Sequence, residues 1–267
     1  MTNKISYSVF TKPWKTLALA QLGEFVSGLG FDGVEFPVRP GYQVEPENVK
    51  DLPRAAKVLG EFGVKILSVA GPTDEATIAA CAEAGVPVIR VMAGINRGES
   101  YLEGELRLRR DYDGLVPLLE RYGVQLGVQN HYGRFVANAV GLRRLVEPYD
   151  PRTIGIVWDA AHEALNGNNL DLALDVAWSH LCMVNLKNAY WQRVNGPEAE
   201  VAAWRVHWTA GCHGQASWPV VVGELKARGY EGTVCLPAEY SDEEAVDRLI
   251  AQDIAFVRAL FESEERL

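Results

Sequence analysis

Four short polar clusters stand where apolar runs stop: Gln129 with Asn130 and His131, Asp159 with His162, Asn185 with Lys187, and Glu239. Carboxylate, imidazole, ammonium and amide groups are the types that move protons and bind ions or polar ligands. The runs before them, residues 124–128 (VQLGV), 153–158 (TIGIVW), 181–184 (LCMV) and 233–238 (TVCLPA), read as buried strands. In an extended chain residues two apart share a face, so Gln129 and His131 point together, as do Asn185 and Lys187. Asp159 and His162, three apart where strand becomes loop, can both reach one bound ion or substrate. Singly, Asp159 and Glu239 also read as loop caps and Lys187 as a solvated charge. Coincidence at four successive strands points instead to the mouth of an α/β barrel.

The elements that must position these groups follow from hydrophobic period. Short β-rich runs begin at Ile5, Gly33, Val64, Val88, Val124, Thr153, Leu181 and Thr233. Helical patterns occupy residues 17–28, 46–62, 74–83, 106–122, 140–147, 170–178, 219–228 and 242–262. Eight alternating units in 267 residues predict one closed (β/α)8 barrel spanning residues 1–267. An open doubly wound sheet is the alternative, but no G-x-G-x-x-G or P-loop follows the first strand.

One connection, from Asn188 to about Ser217, is long for a compact domain and therefore reads as a lid or binding loop. Its Trp191, Trp204 and Trp208 suit the apolar faces of a sugar-like ligand, or packing over the rim, or contact with a second subunit.

A formal net charge of −9 gives no basic stripe for nucleic acid. No stretch approaches the roughly 20 apolar residues of a membrane span, and the first residues lack a signal-peptide core, so a cytoplasmic protein is expected. Cys81, Cys182, Cys212 and Cys235 are scattered without a C-x-x-C pair, which argues against a zinc ribbon or disulfide framework.

The segments GFDGVEF (30–36), GVQNHYG (127–133), IVWDAAH (156–162), NLKN (185–188), GCHGQASW (211–218) and PAEY (237–240) resemble, in order, the xylose isomerase-like TIM-barrel superfamily. That group includes sugar-phosphate isomerases, tagatose 3-epimerase-like enzymes, inosose dehydratase and endonuclease IV. The resemblance implies a divalent metal held at the positions of Gln129, Asp159, Asn185 and Glu239, with His162 beside the substrate and Lys187 in the family's H-x-K segment. The family carries glutamate where Gln129 stands and histidine where Asn185 stands. With two carboxylates and two amides, manganese or magnesium is favoured, zinc and cobalt remaining open. It further implies a homodimer paired through the barrel rims.

Gln129 cannot serve as a base, so Glu239 becomes the expected one, with His131, His162, Lys187 or a water as its acid/base partner. Arg205 and His207 lie where the family places substrate contacts. Glu35, ending the second strand, lines the pocket or pins a loop. Arg90, a charge inside VIRVMA (88–93), either faces the mouth and holds an anionic group or forms an ion pair at the barrel base. The leading expectation is a metal-dependent isomerase or epimerase of a keto sugar or related polyol, acting by enolisation. The alternatives are a dehydratase or other lyase using the same site, and a non-catalytic sugar-binding protein whose metal site has decayed.

Overall fold

The apolar runs are buried on both faces, which a strand permits only when helices cover one side of its sheet and side chains fill the other. Strand β6 (Ile154–Asp159) is buried at every residue, its final aspartate included. The computed structural model describes residues 5–263.

In chain order the strands are β1 (Ser6–Phe10), β2 (Gly33–Pro37), β3 (Lys65–Ala70), β4 (Val88–Met92), β5 (Gln125–Gln129), β6, β7 (Leu181–Asn185), β8 (Asn188–Arg193), β9 (Trp204–Thr209) and β10 (Thr233–Leu236). Strands β1 to β7 and β10 close a parallel barrel in the order β1-β10-β7-β6-β5-β4-β3-β2. Around it run α1 (Leu19–Gly28), α2 (Leu52–Gly60), α3 (Glu75–Glu83), α4 (Tyr101–Tyr122), α5 (Ala139–Val146), α6 (Ala160–Leu165), α7 (Leu170–Ala177), α8 (Trp218–Ala227) and α9 (Val246–Glu262). Among the described residues no helix is long and apolar enough to cross a membrane.

The main core lies between strands and helices, with Leu22, Val34, Leu126, Ile156 and Trp218 sealed from solvent. Phe10, Ala70, Val157, Met183 and Cys235 fill a layer inside the barrel. That layer needs small neighbours: a Cβ on Gly127 would stand 2.6 Å from Val157, closer than packed atoms tolerate. Helix α4 begins at a reciprocal cap between Ser100 and Glu103 and ends at Gly123, whose φ of 66° suits a residue without a Cβ.

Two departures from the predicted elements bear on the mouth. The long connection forms an antiparallel hairpin, β8 with β9, in which Trp191 pairs with Val206 and Ala189 with Trp208. In addition, α6 starts directly where β6 ends, without a loop, because the Asp159 carboxylate accepts from the His162 N–H at 3.1 Å and so caps the helix.

Candidate active site

The strand ends converge as the spacing predicted. Gln129, His131, Asn185, Lys187, Glu35, Arg90 and Glu239 line one cavity of about 140 Å³, whose floor includes Phe10. Asp159 and His162 lie just beneath it, both sealed from solvent.

One side of this mouth is a hydrogen-bonded chain. Arg90 donates from Nε and Nη2 to the two Glu35 oxygens, each at 2.8 Å. Its Nη1 donates to Gln129 Oε1 at 2.8 Å, and Gln129 Nε2 donates to Asp159 Oδ2 at 2.8 Å. A register shift between β2 and β3 sets Glu35 beside Ser68, whose hydroxyl donates to Glu35 Oε1. Burial works against the Arg90 charge, but Glu35 outweighs it and raises the guanidinium pKa. Arg90 thus combines the two alternatives: it faces the mouth, and its partner there is the Glu35 carboxylate rather than a charge at the barrel base.

The other side centres on an ammonium group. Lys187 Nζ donates to Glu239 Oε2 at 2.8 Å, lies 3.0 Å from His162 Nε2 and 3.9 Å from Asp159 Oδ2, and sits 4.2 Å from the centre of the Trp208 ring. Burial disfavours the ammonium, yet Glu239 and Asp159 more than compensate and raise its pKa. Glu239 also accepts from Lys12 at 3.0 Å. Burial alone would raise the Glu239 pKa, but the two lysines together hold it far below the usual carboxylate range. A carboxylate so held is a weaker base than a free one, and in this geometry it anchors Lys187. Ala238, at a φ of 52° uncommon for a residue with a Cβ, turns the chain so that Glu239 enters the mouth.

The histidines divide by their partners. The Lys187 ammonium only donates, so His162 Nε2, 3.0 Å away, accepts from it and the ring proton sits on Nδ1, which the Tyr132 N–H approaches at 3.4 Å. Burial, then Lys187 and His131, press its pKa well below the ordinary value. His131 Nδ1 lies 2.8 Å from the Tyr132 carbonyl, which only accepts, so Nδ1 carries the proton and Nε2 keeps its lone pair. Burial is the main cause that lowers the His131 pKa, so at neutral pH the ring is an uncharged base.

Several positioning roles were not visible in the sequence. Asn130 Oδ1 accepts from the Asp159 N–H at 2.7 Å while Nδ2 donates to Glu163, locking the end of β6. Tyr132 and Trp208 form an aromatic wall with His162. Lys12 stands two residues beyond the end of β1, the same signal that marked His131 and Lys187, and the sequence reading passed over it.

Arg205 and His207 do not reach the cavity. Alternation along β9 turns Val206 toward Ala161, Leu165 and Ala189, and Trp208 packs against that cluster, so the odd-numbered neighbours face away. Arg205 is exposed and His207 packs on Tyr190 at 4.9 Å. Trp191 donates to the Leu165 carbonyl at 2.9 Å and packs edge-on to Tyr132, which pins the hairpin to the barrel.

The donor set expected for a divalent metal does not fit one as arranged. Among the described residues no group of three or more His, Cys, Asp or Glu side chains is gathered to share an ion. Asp159 and Glu239 face the Lys187 ammonium, and Gln129 turns its oxygen to Arg90 and its nitrogen to Asp159. Asn185 Oδ1, buried and without a partner, is the one uncommitted oxygen of the four, whereas a hard cation asks for about six. A ligand hydroxyl suits it better. Manganese, magnesium or EDTA should therefore leave the melting temperature unchanged, because only a ligand that binds the native state raises it. A saturable rise with manganese in differential scanning fluorimetry would contradict this.

The comparisons agree with the barrel. The structure superimposes on the probable 3-DHS dehydratase AsbF from Bacillus anthracis with a TM-score of 0.74 at 14% identity, covering 95% of this chain and 98% of that one. It matches 3-keto-D-glucoside 4-epimerase YcjR from E. coli with a TM-score of 0.73 at 16% identity, covering 96% and 100%. D-psicose 3-epimerase from Clostridium cellulolyticum H10 matches with a TM-score of 0.72 at 14% identity, covering 97% and 100%. At such identities the likeness speaks for the fold. No curated protein matches the chain significantly in sequence. Residues 24–260 match the model of one family, and the chain accordingly belongs to the xylose isomerase-like TIM barrel family.

Proposed function

We propose that the protein is an isomerase or epimerase that enolises a keto sugar or related polyol derivative, with Lys187 as the cation that stabilises the enolate. The observation that carries this reading is His131: an imidazole whose Nε2 has no hydrogen-bond partner among the described residues, on the same cavity as the Lys187 ammonium. Two N–H groups of Lys187 are committed to Glu239 and His162, which leaves a third for a substrate carbonyl.

In the step so assigned, His131 Nε2 takes the proton from the carbon beside the carbonyl. The C–H electron pair becomes the carbon–carbon double bond, and the carbonyl pair moves onto the oxygen that Lys187 bonds. A preorganised cation in a buried site stabilises that oxyanion more than water does. Return of the proton to the neighbouring carbon, with the hydroxyl proton passing to the other oxygen, gives the isomer.

A second reading has a specific observation in its favour. His162 gives its one lone pair to Lys187 and Glu239 is held by two lysines, so the mouth offers one uncommitted base rather than an opposed pair. One base and one ammonium also suit dehydration, in which the enolate expels a β-hydroxyl as water. Product mass separates the two, since dehydration loses water and isomerisation loses nothing.

The test is deuterium uptake. Keto sugars incubated with the protein in D2O should acquire deuterium at the α-carbon, read by proton NMR, and His131→Gln should slow this about 10² to 10⁴-fold. Because protonation removes the base, kcat/KM should fall as pH drops, with an acid limb centred below the ordinary histidine value of about 6.5. Undiminished exchange in His131→Gln would rule out the assigned base, and no exchange with any keto sugar would favour a non-catalytic binding role.

A further inference from the structure

We propose that the substrate carries a carboxylate, and that this carboxylate binds at Arg39 while the reacting carbonyl meets Lys187. The inference deepens the enolising reading and rests on it for the second half of that statement.

It follows from the charges around the mouth. Arg90 is matched by Glu35 in a two-bonded pair. Lys187 and Lys12 share Glu239, and Asp159 stands 3.9 Å from Lys187. Arg39 is the cation left over: among the described residues its guanidinium has neither an ion-pair carboxylate nor a side-chain hydrogen bond. It is half-buried all the same, lying 5.4 Å from the centre of the Phe10 ring, with Arg90 5.0 Å from the same ring. Two guanidinium groups against one phenyl ring repel, and burial together with Arg90 lowers the Arg39 pKa. An anion between them removes that repulsion.

Place and shape agree with this. Arg39 lines both the catalytic cavity and an adjoining apolar hollow of about 330 Å³ formed in part by Val38, Pro46, Pro72 and Met92. A ligand spanning the two has its anionic end at Arg39 and its other end at Lys187. The guanidinium fork matches a carboxylate with two parallel hydrogen bonds. A phosphate dianion would need more uncompensated charge than one arginine supplies.

Isothermal titration calorimetry on the full chain, with 5-keto-D-gluconate, D-fructose and D-fructose 6-phosphate as probes, tests the proposal. The keto acid should bind at least about tenfold tighter than D-fructose, and Arg39→Gln should remove that advantage while leaving D-fructose affinity and the melting temperature unchanged. Arg39→Lys should recover part of it. Equal binding of acid and neutral sugar, an unaffected Arg39→Gln variant, tighter binding of the phosphate, or no binding of the acid at millimolar concentration would each overturn it. The deuterium assay keeps the two readings apart. Arg39-dependent binding of the acid without exchange would refute enolisation and leave the carboxylate site standing. Exchange into D-fructose, with the keto acid bound no tighter than D-fructose and equally well by Arg39→Gln, would do the reverse.

Discussion

Lys187→Met should lower kcat/KM by about 10³-fold, the loss expected when a preorganised oxyanion donor is removed from a buried site. The methionine is close in volume and keeps the packing against Trp208, so the barrel should remain folded. Electrostatics near it would change sign. Glu239 keeps Lys12, but Asp159, sealed from solvent, loses its nearest cation and keeps only the Gln129 and His162 donors. Removing one partner of a buried charge pair costs about 3–5 kcal/mol, less here because those donors remain and because Asp159 can take up a proton. The Glu239 pKa should rise toward the ordinary carboxylate value, since one of the two ammonium groups that depress it is gone. Steady-state kinetics with thermal denaturation checks both effects, and turnover within a few-fold of the unsubstituted protein would refute the role given to Lys187.

The largest loss of stability should follow Arg90→Met. Arg90 and Glu35 are 7% and 0% exposed, so deleting the arginine strands a carboxylate inside the barrel. Such a loss costs about 3–5 kcal/mol, which for a domain of this size lowers the melting temperature by roughly 10 °C. It also frees Gln129 Oε1, which has Arg90 as its donor. Removing both charges differs in kind from removing one. Glu35→Leu combined with Arg90→Met leaves no buried unpaired charge and should recover most of the lost stability. Urea titration of the two single variants and the double variant measures this, and additive losses would mean that the pair is not energetically coupled.

How legible these features were in the sequence depended on range. Strand starts expected at Ile5, Val64, Val124 and Thr153 fall at Ser6, Lys65, Gln125 and Ile154, because a largely buried strand announces itself locally by a short, mostly apolar run. Helix α4 begins a turn earlier than residue 106, since its cap at Ser100 satisfies backbone donors before the apolar period starts. The β8–β9 hairpin was missed because its strands carry Trp, Arg and Gln among the apolar residues and pair across residues 194–203, a gap far longer than the two-residue turn that Asn195-Gly196 ordinarily marks.

At the mouth, residue types and spacing placed Gln129, His131, Asn185, Lys187 and Glu239 on one cavity. What each group does depended on partners far away in the chain, and no local pattern encodes those. Glu239 read as a base, and nothing near it in the chain announced Lys12, 227 residues earlier, lying against it. Gln129 read as an ion ligand until Arg90 claimed its oxygen. Arg205 and His207 looked inward until the hairpin set which face of β9 meets the barrel.

The ammonium lying between Glu239 and Asp159 is joined to the backbone by its own side chain. A tethered charge has no off-rate, so this cation stands in the mouth as soon as the barrel closes and is not diluted away with the ions around it. What such a cation answers to is the proton, and the two acidic neighbours that hold Lys187 charged also keep it charged in alkaline surroundings where a lone buried lysine would have gone silent.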